Sequence, residues 1–192
     1  MTTKERIERV ATRQFARYGL DGTSVRQIVA EARVTKPVLY YYFKDKRGLY
    51  LRLLEGAVAP LCDEVERIAD GEGSPRAQME EIIFAFLRFF RGRPNEFQLL
   101  HRAVERRERE VQLIAEKYFR RIFLGVSRVL TTGVDRKIFR LLDVPQTTFS
   151  VIAIIVYYLT RAHVIDEVLG HKNASDRLVE TLSQHVLGLL HI

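Results

Sequence analysis

The sequence predicts an all-α protein, with an N-terminal three-helix unit built around a helix-turn-helix and a larger helical part after it. Three observations lead there. Apolar residues recur at helical spacing along most of the chain, and caps and breakers punctuate it at short intervals. The alternating runs of strands, and Asn-Gly or Asp-Gly turns between apolar runs, are absent.

Ile7, Val10, Ala11, Gln14, Phe15 and Tyr18 fall on one helix face, and Gly19 is placed to end that helix. After Leu20-Asp21-Gly22, Ser24 and Gln27 form a capping box for a short second helix carrying Val25, Ile28, Val29 and Ala32. The chain breaks at Ala32-Arg33-Val34. Thr35 is placed to cap a third helix with Pro37 in its first turn, ending near Phe43. Asp45 caps a fourth, which continues through Leu49, Leu53 and Leu54 and is interrupted near Pro60. Later helices are expected at 75–91, 94–106, 107–131, 145–169 and 174–190. Their separators are 71–74, Gly92, 132–135 and 170–173.

Composition narrows the classes. At 192 residues with 47% hydrophobic content, the chain can bury a sizeable core. One cysteine excludes an internal disulfide framework and a Cys-rich zinc finger, and fits a reducing cytoplasm. The longest apolar run, Val151 to Leu159, has nine residues, against about 20 for a membrane span. Together with an N-terminus lacking an apolar signal region, this predicts no membrane partner and no secretion. Charge is uneven: residues 1–50 hold 11 basic against 5 acidic residues, and the other 142 hold 20 against 19. A basic N-terminal unit fits phosphate contact, and a solvated basic face is the competing reading.

Ser24 to Phe43 has the order of a helix-turn-helix. At 100° per residue, Lys36, Pro37, Tyr40 and Tyr41 share an arc of about 140°, with Leu39 opposite, beside Val34 and Phe43. Lys36 and Lys46 offer charges to phosphates, tyrosine hydroxyls can donate to phosphate oxygens, and Pro37 offers a flat surface to a thymine methyl. Ser24 and the first amides of its helix suit a phosphate. No Asn or Gln lies on this face, so specificity leans on Lys36, apolar contacts and DNA shape. Tyr40 to Phe43 cannot all be core, because four consecutive helical residues cover nearly the whole circumference.

Phe15, Gly19, Thr23, Ser24, Val25, Ile28, Ala32, Val34, Thr35, Leu39, Tyr40, Phe43, Lys44, Lys46 and Leu49 resemble, in order and spacing, the N-terminal domain of TetR-family transcriptional regulators. The resemblance covers roughly the first 60 residues. It implies a two-domain homodimer, most simply a repressor, that binds double-stranded DNA at an operator palindrome and is released by a small molecule. The division falls at residues 1–46 for DNA and 47–192 for effector and dimerisation. By position, the implied DNA contacts are Ser24, Val25, Thr35, Lys36, Pro37, Tyr40, Tyr41, Tyr42 and Lys46. Two positions depart from the pattern. Arg33 stands where the family usually has Gly, so either the turn needs no positive φ or Arg bears its cost. Tyr42 stands where relatives often carry His, as a packing residue or a phosphate contact.

In the larger part, 82–90 is apolar on all sides apart from Arg88, which fits a surrounded helix or a cavity wall. The resemblance places an effector among Phe84, Phe86, Phe90, Phe97, His101, Tyr118, Phe119, Phe123 and Tyr158, and such a wall favours an apolar or aromatic molecule. Core packing is the competing role for each Phe. Apolar residues on more than one face of the last two helices imply a four-helix dimer interface through Val151, Ile155, Leu159, Leu182, Val186 and Leu189, with burial inside one subunit as the alternative. His101 to Glu110 reads as a solvated face whose charges nearly cancel.

A helical adaptor or a small enzyme are the rival classes. No Gly-rich phosphate loop, G-x-S-x-G or H-E-x-x-H occurs, so no catalytic residue, cofactor or metal is expected. Cys62 reads as a buried, inert thiol, and His163 with Asp166 or Glu167 offers too few ligands for a metal.

Overall fold

The computed structural model describes residues 1–140, 143–161, 164, 167–168 and 174–190. No strand occurs among them. The helices are α1 (Thr3–Gly22), α2 (Val25–Glu31), α3 (Lys36–Tyr42), α4 (Lys46–Asp70), α5 (Pro75–Gly92), α6 (Pro94–Glu105), α7 (Arg109–Ile114), a π turn (Ala115–Phe119), α8 (Arg120–Asp135), α9 (Val144–Thr160) and α10 (Ala174–Leu190). No described helix is long and apolar enough to cross a membrane.

Compactness divides the chain into two units that do not follow chain order. One holds 1–60 and 93–118, the other 61–92 and 119–192. This line differs from the 1–46 and 47–192 division drawn from sequence, because α6 packs along α1 and so belongs with the N-terminal helices. Helix α4 is continuous through Pro60, where the division falls, instead of being interrupted there.

Local chemistry accounts for most boundaries. Thr2 and Glu5 form a capping box on α1, and Ser24 and Gln27 form the expected one on α2. Asp45 Oδ1 accepts from Gly48 N at 2.7 Å at the start of α4. Gly19, at φ 75°, kinks α1 instead of ending it, and the chain makes one more turn to Gly22. Among the described residues, three other than glycine take left-handed φ: Arg33, Arg107 and Lys137. Each follows a helix end, and the next residue's amide returns to a carbonyl five back, as in Val34 N to Val29 O, Glu108 N to Ala103 O and Ile138 N to Gly133 O. All three are cations at the negative end of a helix dipole, which favours them where glycine would have been easiest.

The helix expected over 107–131 is divided. The chain turns left-handed at Arg107, restarts at Arg109, and passes through the π turn before α8. The break expected at 132–135 lies inside α8, since Gly133 leaves room for the buried Phe139 ring and Lys137 supplies the left-handed stop. Helix α9 is observed to Thr160; parts of the remaining expected span, including His163 and Asp166, lie outside the described residues.

In the first unit, Ile7, Val10, Ala11 and Phe15 of α1 are buried with Ile28 and Ala32 of α2, Leu39 of α3, and Leu49, Tyr50 and Leu54 of α4. In the second, α5 packs against α8, α9 and α10. Its core holds Met79, Ile82, Ile83, Phe86, Val126, Leu130, Val151, Ile155, Leu182 and Val186. Cys62 is buried, and desolvation pushes its thiol up to about 11. Arg121 holds the neighbouring carboxylates of Glu66 and Asp63 at 2.5 and 3.1 Å, so this Cys62-Asp63-Glu66 cluster already has its cation.

Candidate nucleic-acid interface

The helix-turn-helix is braced by side-chain bonds into its turns. Arg6 Nε donates to Ala32 O at 2.8 Å, tying α1 to the end of α2 beside the left-handed Arg33. Arg13 and Gln14 both donate to Glu31. Those bonds, Gln14's first, hold the Glu31 carboxyl below its ordinary range. Thr23 Oγ1 donates to Gly19 O at 2.8 Å and closes the kinked end of α1.

On this frame α3 turns Leu39 and Phe43 inward, at 0% and 6% exposure, and Tyr40, Tyr41 and Tyr42 outward, at 48%, 82% and 39%. Tyr42 is braced between its neighbours, edge-on to Tyr41 at 5.0 Å and tilted to Phe43 at 6.3 Å. Lys36, Pro37 and Ser24 are exposed and Val25 is half-buried. Thr35 occupies the N-cap position, but its hydroxyl makes no capping bond and stands in the open. The result is one continuous polar and aromatic face on an otherwise closed three-helix packing.

Lys46 needs a different account from the one its position implied. Its ammonium donates to Leu20 O at 2.8 Å and Thr23 O at 3.0 Å, gathering carbonyls between α1 and α2. Two of its three N–H donors are thus used inside the protein, and it locks the start of α4 to the start of α2. Arg26 is absent from the sequence-derived set. It is exposed on the first turn of α2 with no ion pair among the described residues, and a basic residue one step past Val25 was the available signal.

The expected effector residues are spread over both units. In the first, Phe97 and His101 have ring centroids 5.5 Å apart, His101 Nδ1 is 3.5 Å from Glu105, and Tyr118 is buried under Lys117. In the second, Phe86 and Phe90 stack at 6.5 Å, Phe123 meets Phe149 at 5.3 Å, and Phe119 and Tyr158 are half-buried. Phe84 is 43% exposed and lies outside its unit's interior. Two clefts of the first unit, of about 510 and 280 Å³, are lined mainly by charged residues and by none of the expected nine.

The dimer residues also need correction. Val151, Ile155, Leu182 and Val186 are at most 2% exposed and fill their own unit's core, because α9 and α10 pack on α5 and on each other. Leu159 is half-buried. Among the described residues, the large exposed apolar side chains on these helices are Leu189 at 42%, with Phe149 at 67% and Tyr157 at 55%, the last two of which the sequence reading missed.

Fold and surface together define a helix-turn-helix DNA-binding regulator. The comparisons agree: residues 7–53 match the family model for bacterial regulatory proteins of the tetR family, and residues 75–189 match that for the tetracyclin repressor-like C-terminal domain. The chain belongs to the TetR family, whose members regulate transcription and are not enzymes. The HTH-type transcriptional repressor SCO4008 of Streptomyces coelicolor is 38% identical over 63 residues, 33% of each chain. The HTH-type transcriptional regulator AcrR of Shigella flexneri is 33% identical over 86 residues, 44% of this chain and 40% of that one. These matches therefore span less than half of those relatives. Among solved structures, the TetR-family regulator PfmR of Thermus thermophilus superposes with a TM-score of 0.79 at 19% identity, covering 99% of this chain and 96% of that one. A tetR-family regulatory protein of Rhodococcus gives 0.82 at 12% identity, covering 100% and 98%. At these identities the likeness is one of fold.

Proposed function

We propose that the protein is a ligand-responsive repressor that binds a palindromic operator as a homodimer and is released by a small apolar or aromatic effector. The observation that carries this reading is the outward face of Lys36, Pro37, Tyr40 and Tyr41, which the packing of α1 to α4 leaves exposed. Residues 1–46 read the DNA, with Ser24, Val25, Thr35 and Tyr42 at the edges of that face and Arg26 added to it. Residues 47–192 hold the effector and the dimer contact. Phe149, Ala153 and Tyr157 lie four residues apart on α9 and are all exposed, a stripe suited to a second copy across a two-fold axis.

In this mechanism, effector binding shifts α4, and the lock of Lys46 on Leu20 and Thr23 carries that shift to the helix-turn-helix. The separation of the two recognition helices then no longer suits two half-sites one helical turn or more apart. A name among the relatives, a transcriptional repressor, supports the direction of control. The test is selection of bound sequences from random duplex, with sedimentation of the free protein. A palindromic consensus and a dimeric mass support the reading. An asymmetric consensus or a monomer contradicts it.

A further inference from the structure

We infer that Arg17, Arg106 and Arg107 form a second phosphate-binding surface, outside the helix-turn-helix, that grips the DNA backbone flanking the bases α3 faces. The inference rests on the DNA-binding reading above. Its starting point is the segment His101 to Glu110, whose charges nearly cancel in sequence and do not cancel in space. Two of its three acids are consumed internally, leaving Glu105 exposed: Glu110 is buried and accepts from Arg47 Nε at 2.8 Å, and Glu108 accepts from the Tyr50 hydroxyl at 2.5 Å. Arg102 also turns inward, donating from Nη1 to Arg17 O at 2.8 Å. Arg106 and Arg107 are left exposed, and neither has an ion pair among the described residues.

Position gives this excess charge its use. An Arg106 guanidinium nitrogen lies 3.9 Å from where a Cβ on Gly19 would stand, and Arg102 Nε lies 3.3 Å from it. The α6–α7 turn therefore abuts the kinked end of α1, a few residues before Ser24 opens the helix-turn-helix. Arg17 on that end is exposed, its guanidinium 5.2 Å from the Tyr18 ring centroid. The exposed acids nearest in sequence, Asp21, Glu105 and Asp45 beside Lys46, are three against the four cations Arg17, Lys46, Arg106 and Arg107, which leaves the rim basic. Guanidinium groups match phosphate oxygens by fork geometry and stay charged at every physiological pH. An acidic protein could use the same charges. DNA is favoured because the rim lies on the compact unit that carries the recognition helix.

The test is a salt titration of full-length Arg106→Gln, Arg107→Gln protein by fluorescence anisotropy. The probes are a random duplex of about 40 base pairs, a selected-site duplex of that length, and the selected site without flanks. The variant is expected to lower the slope of log K against log salt by about 2 per protomer on both long duplexes, as two lost phosphate contacts do. Preference for the selected sequence should stay within about twofold, since backbone contacts carry no base information. The duplex without flanks should lose little. An unchanged slope on the long duplexes overturns the inference. Arg17→Gln alone, expected to lower the slope by about 1, serves if the double variant does not fold. Wild-type protein with no preference for any sequence would instead refute the sequence-specific reading, an outcome that Tyr41→Ala separates because it removes preference and leaves this rim intact.

Discussion

The Tyr50 hydroxyl donates to Glu108 at 2.5 Å, joining α4 to the start of α7 across 58 residues of chain, and the Tyr50 ring meets Phe15 edge-on at 4.9 Å. Burial, then the adjacent carboxylate, holds the Tyr50 phenol far above its ordinary range. A phenol raised in the fold contributes stability that is complete below its unfolded pKa, about 10, and is lost as pH rises beyond it. Tyr50→Phe keeps the ring and strands the carboxylate. It should lower stability by about 1–2 kcal/mol at neutral pH and Tm by roughly 3–6 °C, and should weaken the alkaline fall in stability. Thermal melts from neutral to alkaline pH test this, and identical pH slopes for the two proteins would refute it.

Arg33→Gly tests the left-handed turn between α2 and α3. Arg at φ 52° bears about 1–2 kcal/mol of local strain that glycine escapes, offset by about 0.5–1 kcal/mol of added chain entropy. The variant should gain about 0.5–1 kcal/mol, read as a higher urea midpoint with unchanged slope. A lower midpoint would mean that the cation's interaction with the end of α2 outweighs the strain.

Cys62 should resist thiol reagents in the native state, because burial disfavours the thiolate that would react. Labelling by a disulfide reagent at neutral pH should follow the fraction unfolded across a urea titration. Rapid labelling in native buffer would contradict the burial of α4 at this position.

Acid should act through Glu66, whose carboxyl is held below its ordinary range first by its hydrogen bonds from Arg121, at 2.9 and 2.5 Å. A depressed folded pKa gives stability that is present above the unfolded value and lost as pH falls through the folded one. Glu66→Gln should therefore flatten the pH dependence of stability below about pH 4.5. The effect is small because the pair is partly exposed, so urea midpoints at several acidic pH values are the measurement.

What the sequence made legible is what local chemistry determines. The Ser24-Gln27 box, the Asp45 cap and the inward turn of Leu39 and Phe43 each depend on residues within one or two turns of each other, and all were readable. Gly133 misled because a glycine near a helix end usually marks the stop, whereas here it makes room for Phe139 and the stop falls to Lys137. The π turn at Ala115–Phe119 has no local signature. At the interface, outward residues followed from geometry, but the second role of Lys46 depends on carbonyls 23 and 26 residues away. The apolar faces of α9 and α10 looked alike in sequence. Only packing against α5 separates core Val151 and Ile155 from exposed Phe149 and Tyr157.

The central claim is that the face of Lys36, Pro37, Tyr40 and Tyr41 reads DNA. The most direct test is a fluorescence-anisotropy titration on DNA from upstream of the protein's own gene, with random duplex as competitor and salt varied, comparing wild type with Lys36→Ala, Tyr41→Ala. The account predicts competitor-resistant binding that weakens with salt, and loss of that preference in the variant with its thermal melt unchanged. Binding no tighter than to random duplex, and equal in the variant, would contradict it.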